Sequence, residues 1–440
     1  MSSFVDIETV FNAGDGRTID SLAKVYEDTA FLQAIIHRLI SNRFCESDIS
    51  GKCVLLKPNW VRHELKESDY LCLRTNDNFL LCILEEVLLL SPRSVLIADA
   101  PVQGCDWDRM ITFDFLQKVK DLSNRFDIPI LIKDFRRTVT DVENDEVKND
   151  IHPLSDYVLF DLGKDSYLEP ITKSDNRFRV TNYDPDRMAE VHHRGTHKYC
   201  IAKDVFKYDV IITIPKLKTH RMAGMTNALK LLVGINGDKD YLPHHRIGSI
   251  KEGGDNYKEK SILRSLSSKF TDASNRRRGT IKGRALRIIA ALLWKYSKPD
   301  SATITNAGWY GNDTIWRTVM DINTIALFGD ISGRIHNTPQ RCLYSIMDGV
   351  IGGQGDGPLH PIPSPLGVIA LSNNSYLMDA VAGELYHLNY KRIPLLNEAR
   401  KIVNDLDYSI RINSADITLD AVMDYGIDVL MSPGWVDYNK

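Results

Sequence analysis

The run Pro215-Lys216-Leu217-Lys218-Thr219-His220-Arg221 carries three cations and an imidazole directly after the apolar stretch Val210-Ile-Ile-Thr-Ile214. Convergent cations hold a carboxylate or phosphate better than a lone one, more so where burial lowers the dielectric. Were the strand to persist to Leu217, alternation would put Lys216 and Lys218 on one side. An imidazole there exchanges a proton near neutral pH. Lys216 and His220 are therefore the expected catalytic pair, with Lys218 and Arg221 holding an anionic substrate. The bland alternative is a solvated strand end with one structural histidine.

Further candidates lie around this block. Asn227 and Lys230 are three apart in a presumed helix and share a face toward the same site. His244 and His245 follow Pro243, and His245 joins the substrate-binding set. Lys57 and Asn59 follow an earlier apolar strand and offer a mobile point charge and an amide. Asp99 follows the next strand, where a carboxylate binds a metal, orients a lysine, acts as base or merely caps a helix or turn. In Asp348-Gly-Val-Ile-Gly352-Gly-Gln354-Gly-Asp356-Gly-Pro-Leu-His360 five glycines fall within ten residues. Such a loop lets backbone amides approach a ligand. It lacks the Lys-Ser/Thr ending of a nucleotide loop and the dinucleotide fingerprint. Gln354 is assigned to substrate and Asp356 to proton handling. Asp348, Asp356 and Asp379 are assigned to Mg²⁺ or another divalent cation. Adjacent histidines diverge, so His244–His245 and His192–His193 make poor metal sites.

Elements that position these groups alternate along the chain. Helices are predicted at 29–43, 78–90 and 114–126, strands at 52–57, 93–98, 128–133 and 209–214. That alternation predicts an α/β fold, parallel or mixed sheets covered by helices. Ligands in such folds sit where strands end in loops. Residues 138–205 are polar and turn-rich and read as an insertion or lid. The division is then 1–137, 138–205 and 206–440. Further on, 226–232 starts a helix, 238–280 is polar and mobile, and 286–295 and 314–331 are helices. Residues 351–366 form a glycine- and proline-rich loop, 366–371 a strand, and 375–387 and 396–405 helices.

Bulk properties narrow the function classes. A formal charge of -3 gives no basic field for nonspecific nucleic-acid binding. A local basic run, Arg276–Arg278 with Lys282 and Arg284, is a solvated loop or a contact for a membrane surface, an acidic partner or a polyanion. Ile281 to Tyr296 is short and apolar with a basic front. A buried core helix is the expected reading, a helix lying on a membrane the alternative. No leader-like start and no run of 18 apolar residues is seen. The seven cysteines are far apart with no Cys-x-x-Cys, which suits reduced thiols in the cytoplasm. The same spacing argues against an iron–sulfur cluster or a structural zinc. Self-association into a homo-oligomer stays open.

These residues resemble the DUF362 family. The resemblance rests on Lys57-Pro-Asn59, Asp99-Ala-Pro101, Pro215 to His220 with Gly224 and Thr226 to Lys230, Gly234, Asp348 to Pro358, and Asp379-Ala-Val-Ala. It spans roughly residues 50 to 390. It implies a shared core of unknown activity, and the last segment adds weight to Asp379. Many members carry a ferredoxin-like iron–sulfur module; the paired cysteines it needs are missing here, so redox chemistry does not carry over. The expected function is an enzyme acting on a small carboxylated or phosphorylated metabolite by acid/base or metal-assisted chemistry. The alternatives are a non-catalytic ligand-binding or maturation protein, and a membrane-peripheral enzyme of envelope or polysaccharide assembly.

Overall fold

The apolar runs at Cys53–Pro58, Ser94–Asp99 and Val210–Ile214 form neighbouring parallel strands. Each is buried on both faces, which explains why their sequences are apolar throughout rather than alternating. The computed structural model describes residues 2–11, 17–141, 146–148, 151–175, 177–180, 182–297 and 307–435. Among them one mixed sheet holds 12 strands. Its main path runs from Ala415–Ile417 through Tyr408–Ile412, Ser3–Thr9, Val368–Ser372, Cys342–Asp356, Val210–Ile214, Cys53–Pro58 and Ser94–Asp99 to Ile130–Asp134. Its last five strands are parallel, and the half beyond Cys342–Asp356 is mixed. The fold is thus α/β with helices on both faces.

Side-chain alternation divides the core. Val54, Leu56, Val95, Ile97, Val210 and Ile212 face helices Ile19–Glu27, Thr29–Ser41, Asp77–Leu89 and Phe113–Phe126. Leu55, Leu96 and Ile211 face the opposite layer. There they meet helix Ile315–Phe328 and a small sheet built from Tyr157–Asp161, His192–His193 and Thr196–Ala202. Helix Ser375–Leu385 and helix Pro394–Asn404 cover the mixed half.

Several expectations change. Cys342–Asp356 is one 15-residue strand that bends back into His360–Ser364, so the glycine-rich stretch is a β-hairpin and not an open loop. Its glycines serve packing: a Cβ on Gly353 would stand 2.6 Å from Lys218 Cγ, and one on Gly352 would collide with the Tyr386 hydroxyl. The helix expected at 226–232 is α-helical only over Ala228–Leu231 and continues as a 3₁₀ turn, Leu232–Ile235. Residues 238–280 hold a turn at Lys239–Tyr241 and a helix, Ile262–Asn275. Helix Ile281–Tyr296 buries only Gly283 and Ala290 and is no core helix. The first strand, Ser3–Thr9, and helix Ile19–Glu27 lie in sequence too polar and short to announce them.

Candidate functional site

Three parallel strands end at the same rim. Lys57-Pro58-Asn59 follows one, Asp99-Ala100-Pro101 the next, and Pro215 with the strand Lys216–His220 the third. Beneath that rim opens a cavity of about 250 Å³. Asn59, Asp99, His220, Arg221, Lys230, Lys239 and His244 line it among apolar side chains. The tip of the hairpin closes one side through Pro358 and Leu359, held by Arg62, which donates to the Leu359 carbonyl at 2.6 Å.

One wall is a fixed ion pair. Lys57 Nζ donates to Asp99 Oδ1 at 2.6 Å, and both residues are buried. Asp99 also accepts from the amides of Trp60 and Ala100, each at 2.8 Å. Its charge is therefore committed. Gly234 packs so closely that a Cβ there would fall on Asp99 Oδ1 and stand 2.6 Å from Lys57 Nζ. Behind Asn59, Lys218 Nζ donates to the Asn59 side-chain oxygen at 2.8 Å and to the Leu73 carbonyl.

Lys230 and Lys239 have no such carboxylate partner among the described residues. Lys230 lines the cavity without a hydrogen bond or ion pair among the described residues. Burial, with Lys239 and Lys57 nearby, pulls its ammonium down to about 7. Among the described residues Lys239 donates only to the Ala100 carbonyl, at 3.2 Å, and burial brings it to about 8 against the pull of Asp99. Burial likewise takes Lys218 to about 7. Arg221 stands 3.5 Å from Asp356 on the hairpin. Basic charge thus outnumbers free acidic charge around the cavity.

The two imidazoles present opposite faces. His220 Nδ1 accepts from the amides of Met222 and Ala223 at 3.0 and 3.1 Å. That fixes the neutral tautomer with hydrogen on Nε2, and burial beside Lys230 holds the ring well below its ordinary value. His220 is thus a hydrogen-bond donor, not the proton exchanger its residue type suggests. His244 Nδ1 donates to the Leu242 carbonyl at 2.7 Å, which leaves its Nε2 lone pair free to accept; burial holds the ring near 3.

Of the residues singled out from sequence, Asn59, His220, Arg221 and Lys230 line this cavity, and Lys57 and Lys218 brace its wall. Others do not reach it. Lys216, expected to be catalytic, lies outside the cavity lining: its ammonium is buried and donates to Asp348 at 3.0 Å and to the Tyr26 hydroxyl at 2.7 Å. Asp348 also accepts from Tyr26 and from the Asn76 amide, so its charge is already committed to Lys216 and these donors. Asp379 lies under the short helix Ala228–Leu231 and accepts from the Leu229 amide at 3.4 Å; burial raises it to about 7. Asn227 is buried at the start of that helix, outside the cavity lining. Gln354 is spent on the Leu430 amide and the Pro363 carbonyl. His245 is buried in a strand pair with Arg179, and its neighbour His244 takes the cavity position. Asp356 is half-exposed beside Arg221. Among the described residues no three His, Cys, Asp or Glu side chains converge into a set able to hold a metal ion, so the expected Asp348–Asp356–Asp379 site does not form. Lys239 was hidden in a polar segment; its place after Gly234 and Gly237 was the one signal pointing to it.

Comparison with known proteins adds a family. The family described as "Domain of unknown function (DUF362)" matches residues 161–384, just over half of the chain. No curated protein matches. A crystal structure of a Thermotoga maritima protein resembles the chain at 8% identity and a TM-score of 0.31, over 84% of this chain and 59% of that one. The lactate racemase apoprotein from Thermoanaerobacterium thermosaccharolyticum does so at 12% identity and a TM-score of 0.27, over 72% of this chain and 48% of that one. The chain spans less than two thirds of either structure, and so remote a likeness leaves the chemistry to be read from the site itself.

Proposed function

We infer that this protein, which belongs to the DUF362 family, is an enzyme that binds a small carboxylated or phosphorylated metabolite in the rim cavity and moves a proton on it. The observation that carries this reading is Lys230, a half-buried amine lining the cavity with no anionic partner among the described residues. Holding an ammonium in a half-dry site costs several kcal/mol unless a counter-charge arrives. A bound anion supplies it. The cavity, about 250 Å³, sits below the roughly 300–1,000 Å³ of drug-sized sites, which favours a compact metabolite.

Roles follow from protonation. Lys239 and Arg221 hold the anionic group. Lys230, poised near 7, accepts or gives the proton, because a group whose value matches the working pH does both efficiently. The Nε2–H of His220 donates to an oxygen on which charge develops, and needs no proton transfer of its own. The Lys57–Asp99 pair keeps the rim rigid.

The test is ligand-induced stabilisation by a panel of small phosphates and carboxylates, read as melting temperature in wild type and in Lys230→Met. Wild type should gain several degrees with its ligand, and the variant should lose most of that gain while folding normally. Equal gains in both, or none in either across the panel at pH 6–8, would remove the anion site. Incubation of the stabilising ligand in deuterated water then reads the chemistry. Incorporated deuterium supports proton transfer; an unchanged ligand assigns the site to binding alone.

A further inference from the structure

Helix Ile281–Tyr296 carries its apolar residues on the outside. Ile281 is 87% exposed, Ile288 62%, Leu292 47% and Tyr296 70%. At 100° per residue these four, with Ala285 and Ile289, fall on one stripe about 100° wide. Gly283 and Ala290, the buried residues, lie on the opposite side. The exposed Lys282 borders one edge of the stripe; the exposed Arg284 and Lys295 border the other. No Asp or Glu occurs in the helix.

The inner face is secured independently of that stripe. Ser267 and Ser274 of helix Ile262–Asn275 donate across to the Ala290 and Gly283 carbonyls, each at 2.8 Å. Arg264 lies over the rings of Tyr257 and Trp294. The acidic groups near the turn between the two helices are already bridged: Asp186 to Arg276 at 2.7 Å and Asp272 to Arg179 at 3.1 Å. Among the described residues the outward stripe is therefore an apolar strip bordered on its two sides by the exposed Lys282 and Lys295.

We propose that this helix docks the protein on an anionic lipid surface, its apolar stripe in the headgroup–acyl boundary and its flanking Lys282 and Lys295 on acidic headgroups. Charge decides between occupants. A second copy placed two-fold on this face would set Lys282 and Lys295 of each helix against cations of the other, with no carboxylate on either helix to offset them. A bilayer rich in acidic lipid meets both features at once. No helix among the described residues is long and apolar enough to cross a membrane, so the association is with the surface. This does not rest on the cavity's function.

Co-sedimentation of the full chain with vesicles tests it. Wild type should pellet with phosphatidylcholine vesicles containing about a third phosphatidylglycerol and stay in the supernatant with pure phosphatidylcholine. Added salt should weaken binding. Ile288→Glu with Leu292→Glu should abolish it, and Lys282→Glu or Lys295→Glu should weaken it by about fivefold or more each. All four side chains are exposed, so the melting temperature should hold in every variant. Failure of wild type to pellet with anionic vesicles, or unchanged binding by the double variant, would overturn the proposal. So would a lipid-free dimer, seen by sedimentation velocity, that Ile288→Glu dissolves; that result would give the face to a second copy.

Discussion

Two lysines one residue apart, Lys216 and Lys218, meet different fates because of what the opposing strand offers. Lys216 stands opposite Asp348 and Lys218 opposite Gly353. The first finds a carboxylate; the second passes a glycine and reaches Asn59 beneath the cavity. Lys216→Ala leaves Asp348 buried with Tyr26 and the Asn76 amide, and breaking such a pair typically costs about 3–5 kcal/mol. The expected outcome is a large fall in the urea midpoint. Lys230→Met should do the reverse. It removes a half-buried cation that lacks a carboxylate partner among the described residues and should leave the unliganded protein as stable as wild type or more so, while ligand stabilisation vanishes. A urea series on both variants separates the structural lysine from the functional one. Residue type in the sequence showed that cations cluster here. It did not show which of them would be neutralised, because the partner, Asp348, comes 132 residues later.

At the scale of elements, the parallel strands were legible because burial on both faces leaves an unbroken apolar run. The hairpin was not, because five glycines read as a loop when the partners that need their missing side chains are far along the chain. Tyr386, Thr219 and Lys218 are those partners. The 3₁₀ turn Leu232–Ile235 poses the same problem on a smaller scale. Gly234 sits there against the Lys57–Asp99 pair, and nothing local marks it as a contact point. Gly234→Ala should force the carboxylate and ammonium apart or push the turn outward. Overpacking of this kind costs about 1–3 kcal/mol. The predicted result is a lower melting temperature together with loss of ligand stabilisation, since the turn also positions Lys230 and Lys239. A change to Ala at Gly195, which has open space around it and a left-handed φ of +77°, should cost stability through backbone strain alone and leave ligand response intact. Ligand titration of the two variants by thermal shift distinguishes the roles.

For the whole molecule, the buried bases and acids together set how stability varies with pH. Lys218 and Lys230 are brought to about 7 and Lys239 to about 8 from an ordinary 10.5. Between pH 7 and 10.5 the unfolded chain therefore binds more protons than the folded one, and stability rises with pH. Below 7 both states are protonated and the full cost of the cavity charges is present. In the acid range two sets oppose each other. His244, His245 and His192 are held near 3, so they favour folding as pH rises through 6.5. Asp240 and Asp379 are raised to about 7 and Asp321 to about 6, so they favour folding less as pH rises over the same span. Above 9, Cys72 and Cys105, pushed to about 11, and Cys82, pushed to about 12, keep their protons in the folded state while the unfolded thiols lose theirs, which offsets the lysines and levels the rise off. The unliganded protein should accordingly be more stable near pH 9 than at pH 7, with each lysine contributing at most about 1.4 kcal/mol per pH unit. An anion bound beside Lys230 and Lys239 raises both values again, so binding at pH 8 should take up protons. Its stabilisation should be largest at pH 6–7 and fade by pH 9. Calorimetry in two buffers of different ionisation enthalpy measures that uptake. An apparent heat independent of buffer at pH 8 would mean that these lysines do not meet the ligand, and the cavity would then lose its claim to be the site.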